Sequence, residues 1–203
     1  MHACEPGQAS AATGTVSDRV SLDALVVVAA RRVVLGADVA AAKFLSGHRI
    51  DDHAREQEIL DSVASRLKRA QLGHALGMAF FRDQIEASKV IQTGLHRYWR
   101  EHPEEFPVRC RHLTAELRPQ LDILNRHMLL LLIYMENIPP VSRSHVYGLF
   151  DRKLRTSTAL RQLGELRRDA ADIALRSLFP PESRSPGRKR NGPGSRAVCG
   201  RTV

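Results

Sequence analysis

The sequence predicts an all-α fold, a single helical bundle of five to six helices, on three observations. Between Pro6 and Pro103 there is no proline, and helix formers dominate that stretch. Aromatic residues make up only 5% of the 203 residues, and β-branched runs are few. At 43% hydrophobic and 26% charged, the chain can bury a core. No segment reaches the roughly 20 apolar residues of a membrane-spanning helix; the longest apolar stretch runs from Met128 to Met135.

The elements follow in order. A first helix is expected from about Ser21 to Leu45, with Leu22, Leu25, Val26, Ala29, Val33, Ala40 and Ala41 apolar. Gly36 weakens it locally and Ser46-Gly47-His48 ends it. Asp52 is a suitable N-cap for a second helix reaching about Leu72, with Gly73 as its stop. A third spans about Ala75 to Arg100, burying Ala79, Phe80, Ile85, Ile91, Leu95 and Trp99, and closes at His102-Pro103. A fourth covers about Thr114 to Asn137, starting nearer Arg118 because Pro119 suits a first turn. Ile138-Pro139-Pro140 ends it, and a last helical segment runs from about Ser142 to Leu178, with a break near Gly148 or Arg155.

Outside residues 21–179 the composition changes. Residues 1–20 are small and polar and read as a flexible leader, with neither a basic n-region nor an apolar h-region. That predicts a cytoplasmic protein as written, and a periplasmic or secreted one if the start lies upstream. Residues 180–203 hold four prolines, four glycines, six basic residues and one acidic, and read as a disordered basic tail. The net charge is +9, and more than half of it falls in that tail. The body is only mildly basic, so nucleic acid is not an expected partner. Cys4, Cys110 and Cys199 lie far apart with no CxxC pair, which argues against a zinc site or a dense disulfide framework.

Polar residues on faces that should be buried are the clue to chemistry. Arg32 and Lys43 are eleven apart, close to three helical turns, so they point the same way about 16 Å apart along one helix. Arg55 stands on the first turn after the Asp52 cap. Ser88 and Gln92 share a face of the third helix with Ile85 and Leu95, and Arg118 and Asp122 repeat the i, i+4 spacing in the fourth. Singly, each has an ordinary explanation, since most helix cations are solvated surface charges. The nine histidines show no metal-ligand spacing, and phosphate-loop and nucleophile-elbow motifs are missing. The residues alone give a bundle with an anion pocket of three or four cations.

At these positions the chain resembles the helical chorismate mutases, and in length and layout their gamma subclass, whose members are mostly exported. AARRVVLGADVAAAKFLSGHRIDDHAREQEILDSV is similar to that family's first two helices. FRDQIEASKVIQTGL is similar to its third-helix motif, F-x-x-Q-I-x-A-[ST]-x-x-x-[QE], and LRPQLDILN to the start of its fourth helix. The likeness covers about Leu22 to Leu132. It implies the [3,3] rearrangement of chorismate to prephenate, with no cofactor and no metal, and a homodimer.

The resemblance also implies roles, position by position. Arg32 and Arg118 would bind the two substrate carboxylates, Arg118 from the same chain. Lys43 and Gln92 would donate to the ether oxygen. Asp52 and Glu56 would address the ring hydroxyl, with Arg55 organising the pocket, and Ser88 would contact a carboxylate. Val39 and Ile85 would form apolar walls. Some gamma-subclass members carry glutamate where this chain has Gln92, and glutamine where it has Ile59. The subclass's C-terminal disulfide has no matching cysteine pair here. Two alternatives stand beside the mutase: a sibling enzyme on the same bundle, such as an isochorismate–pyruvate lyase, and a non-enzymatic helical binding protein using its basic tail. Deleting Pro181 to Val203 should leave the kinetics on chorismate nearly unchanged, because the segment has too few apolar residues to pack on a bundle. A large loss of turnover with the fold intact would mean that the tail closes the site.

Overall fold

A computed structural model describes residues 16–70, 74–135, 138–161 and 163–179. Cys4, Cys199, Gly73, most of the leader and the basic tail lie outside the described residues. Seven α-helices occur among those described: α1 (Val16–Ser46), α2 (His53–Arg69), α3 (His74–Glu101), α4 (Arg118–Tyr134), α5 (Arg143–Leu154), α6 (Thr158–Arg161) and α7 (Gly164–Ala174). No helix among the described residues is long and apolar enough to cross a membrane.

Helix α1 is the axis of the bundle. It packs against α3, α4 and α5, and α3 in turn packs against α2 and α7. That central place explains its composition. Leu22, Leu25, Val26, Ala29, Ala30, Val33, Ala37, Ala40 and Ala41 are buried, far more than one stripe, so packing overrides the modest helix propensity of its valines. Gly36 does not interrupt it; a methyl group there would only touch Ser88 of α3 at ordinary contact distance, 3.8 Å. Gly47, with φ of 69°, takes the left-handed conformation that ends the helix. At this end Phe44 packs edge-on against Trp99 and His96 and lies 5.3 Å from the Phe106 ring.

Several expected boundaries move. Helix α1 starts at Val16, inside the segment read as leader. Helix α2 is capped as expected by Asp52, whose carboxylate accepts from the Arg55 amide at 3.2 Å, but it ends at Arg69. Its last turn carries Arg66, Lys68 and Arg69, which suit the negative end of the helix dipole. Helix α4 does begin at Arg118 with Pro119 in its first turn, and a π-helical turn, Leu113–Leu117, leads into it. Ala79 is half-buried rather than core.

The last segment is three helices and a 3-10 turn, which raises the count from the expected five to six. The chain breaks at Arg155, whereas Gly148 stays inside α5. The corner is held by the buried Arg167 of α7, which donates to the Leu160 and Arg161 carbonyls at 2.8 and 2.5 Å and to Asp151 at 3.0 Å. Beyond α7, the buried Asp83 of α3 accepts from the Ser177 amide at 3.0 Å and pairs with Arg176.

Phe150 of α5 is fully buried in the core, whereas Ile123 of α4 is half exposed. Phe150→Ala should lower the unfolding free energy by about 3–5 kcal/mol and Ile123→Ala by less than about 0.5 kcal/mol, both read by urea denaturation. Equal effects would mean that α5 is not docked on the core.

Candidate active site

One cavity opens between α1, α2, α3 and the start of α4, with about 630 Å³ of atom-free space that is partly open to solvent. All eight candidate residues line it: Arg32, Lys43, Asp52, Arg55, Glu56, Ser88, Gln92 and Arg118. Val39, Ile59 and Ile85 give it apolar walls. The chain therefore assembles the whole set without a second copy.

The rigidity of α1 sets the two deepest groups. Arg32 is only 4% exposed. Its Nε donates to Asn125 Oδ1 at 2.8 Å, and its Nη1 donates to the Gln84 carbonyl and to Ser88 Oγ, both at 2.7 Å. Burial depresses its pKa to about 10, with Arg55 adding to the effect and Asp122 opposing it. Three turns on, Lys43 is 7% exposed, and its Nζ donates to the Ile50 carbonyl at 2.6 Å. Burial lowers its pKa as well; Asp52 opposes this and Arg118 reinforces it. Neither cation has a carboxylate hydrogen-bonded to it among the described residues.

The remaining charges are paired across elements. Arg118 donates to Asp52 Oδ2 at 2.8 Å, while the other oxygen of that carboxylate caps α2. Arg55 bonds Glu58 at 2.6 Å and also bonds Asp122 of α4. Glu56 accepts from Lys89 at 3.0 Å, and Lys89 reaches Asp51 at 3.1 Å. Ser88 Oγ donates to the Gln84 carbonyl at 2.9 Å while accepting from Arg32. Gln92 is 6% exposed, and its amide oxygen is buried with no hydrogen-bond partner, so that end of the side chain is not tied to the scaffold.

The cavity thus holds five cations, Arg32, Lys43, Arg55, Lys89 and Arg118, against the carboxylates Asp52 and Glu56. Two of the cations are desolvated and meet only neutral acceptors. Such a site attracts an anionic ligand. Lys89, Leu113 and Leu121 line it too and were not among the expected residues. Nor were Asp122 and Asn125 assigned a place, although the Arg118–Asp122 spacing pointed to the face of α4 they occupy. Cys110 is half-buried outside the cavity, its thiol pushed up by burial.

Known proteins resemble this chain. Residues 23–93 match the family model for chorismate mutase type II. A secreted chorismate mutase from Mycolicibacterium smegmatis is 34% identical over 114 residues, which is 56% of this chain. The match takes in 62% of that relative, so the chain spans a little under two thirds of the curated length it matches. The crystal structure of chorismate mutase from Burkholderia thailandensis matches with a TM-score of 0.61 and 29% identity, over 77% of this chain and 97% of that one. That of chorismate mutase from Burkholderia phymatum shares the fold, with a TM-score of 0.63 and 24% identity over 78% and 96% of the two chains. In its matched residues and its all-helical architecture the chain is similar to the type II, helical chorismate mutases.

Proposed function

We propose that the protein is a chorismate mutase, converting chorismate to prephenate within one chain's cavity. The observation that carries this reading is the convergence of all eight expected side chains on that cavity, with Arg32 and Lys43 lacking anionic partners. The relatives' names support the same activity, and that of the mycobacterial protein supports an exported enzyme of the gamma type. A face of α4 that exposes Ile123, Leu130 and Tyr134 supports a homodimer.

The reaction breaks a C–O bond and forms a C–C bond in one ring of six atoms, so the protein needs no nucleophile. It has to hold the dianion in its compact reactive conformer, which removes rotational freedom before the barrier is climbed. Arg32, through its Nη2 hydrogens, and Arg118 serve the two carboxylates, because a guanidinium makes strong charge-assisted hydrogen bonds to a carboxylate. For Arg118 this means exchanging or sharing its partner Asp52, which remains fixed as the α2 cap. As the C–O bond lengthens, negative charge grows on the ether oxygen. Lys43 and the Gln92 amide donate to it, in a cavity whose apolar walls strengthen each bond. Glu56, held by Lys89, and Asp52 accept from the ring hydroxyl.

Incubating the full chain with chorismate and, separately, with isochorismate tests the assignment. Prephenate from the first is the expected product. Turnover of isochorismate alone, to salicylate and pyruvate, would assign the lyase reaction instead.

Lys43→Ala should lower kcat by about 10²–10³ with little change in Tm, and Lys43→Arg should not restore it, because a planar fork cannot occupy the place of a compact ammonium. Near wild-type turnover in either variant contradicts the role given to Lys43.

The pH profile separates the two ether-oxygen donors. Gln92 does not titrate, so kcat/KM should stay level from about pH 5 to 8. Burial lowers the Lys43 pKa below its ordinary 10.5, so the ammonium is lost, and activity falls, at a lower pH than a free lysine would dictate. In Gln92→Glu the donor must be a protonated carboxyl, of unperturbed pKa about 4.3 and raised by burial. Its activity should therefore be greatest in acid and decline as pH rises through that pKa. Identical profiles for the two proteins would remove Gln92 from the ether oxygen.

A further inference from the structure

We propose that Asn125 is a positioning residue: a neutral tether that fixes the Arg32 guanidinium while leaving its charge uncompensated for the substrate. The proposal rests on the reading of the cavity as a dianion site. It starts from the register of α4. Arg118, Asp122 and Asn125 stand at i, i+4 and i+7, one face of the helix, and each meets a different residue of the site. Arg118 meets Asp52, Asp122 meets Arg55, and Asn125 meets Arg32. The first two contacts are ion pairs. The third is not, and the reason is the side chain: an amide where a carboxylate would fit.

The distinction matters because Arg32 is buried. Its three acceptors, Asn125 Oδ1, the Gln84 carbonyl and Ser88 Oγ, are all neutral. They engage Nε and Nη1 and so fix the plane of the guanidinium, leaving the Nη2 hydrogens for a ligand's carboxylate. Asn125 is itself buried, so its amide has little freedom to swing away. An aspartate there has nearly the same shape and could accept the same Nε–H bond, but it would neutralise the arginine from within the protein. The scaffold would be satisfied and the attraction for substrate weakened.

The test compares wild type with Asn125→Asp and Asn125→Ala in two measurements, steady-state kinetics on chorismate and Tm without ligand. Asn125→Asp should raise KM at least tenfold and change kcat by less than threefold, because Arg32 holds the carboxylate equally in substrate and transition state. Its Tm should equal or exceed that of wild type, because a buried cation gains a counter-charge. A purely structural hydrogen bond would be kept by aspartate and would leave KM unchanged. Asn125→Ala frees the guanidinium and should raise KM with a lower Tm. An unchanged KM in either variant, or a lowered Tm in Asn125→Asp, overturns the proposal. Should wild type fail to turn over chorismate, the functional reading falls. The Tm comparison then still decides whether Arg32 stands uncompensated.

Discussion

Two desolvated cations on one helix, Arg32 and Lys43, set the terms for the rest of this molecule. Burying a charge without a partner is costly, and here it is done twice on the helix that forms the bundle's axis. The protein meets the cost with neutral acceptors rather than carboxylates: an asparagine, a serine and backbone carbonyls. That choice keeps the cavity positive. It also leaves the two buried cations short of interactions that an anionic ligand would supply, which is how a binding site can be built at the expense of stability.

The scaffold around these groups follows from that constraint. Helix α1 must be buried on several sides to desolvate them, and it is covered by α3, α4 and α5. Gly36 of α1 faces Ser88 of α3. Helix α2 brings Asp52, Arg55 and Glu56 within its first turn, so a single capped helix start delivers three charged side chains. Helix α4 then ties its own Arg118, Asp122 and Asn125 to the Asp52, Arg55 and Arg32 of the other elements. The charged groups that are paired tie the helices together, and the two that are not, Arg32 and Lys43, line the same cavity.

Much of this was legible from residue spacing because the site lies on long helices. Eleven residues of continuous helix place Lys43 relative to Arg32 with little freedom, and the same holds for Ser88 and Gln92. The fold class followed from a long stretch without proline. What sequence did not give was information about faces and corners. That Asp122 and Asn125 bond Arg55 and Arg32 is visible only once the face of α4 that meets α1 and α2 is known, across 93 residues in the case of Asn125. Lys89 carries no signal of its own in the sequence; its place comes from Asp51 and Glu56, which it pairs with across elements. The C-terminal segment read as one helix, with its break left open between Gly148 and Arg155. The structure turns it at Arg155 and again before Gly164, through contacts of Arg167 that no local signal announces.

The central claim is that this cavity is completed by a ligand carrying two negative charges. Calorimetric titration of the full chain tests it most directly, using a stable oxabicyclic dicarboxylate shaped like the cyclic transition state and the monoester of the same compound. The account predicts one ligand per chain and a dicarboxylate bound at least about 100-fold more tightly than its monoester, since two arginine–carboxylate pairs are in play rather than one. Equal affinity for the two compounds would contradict it.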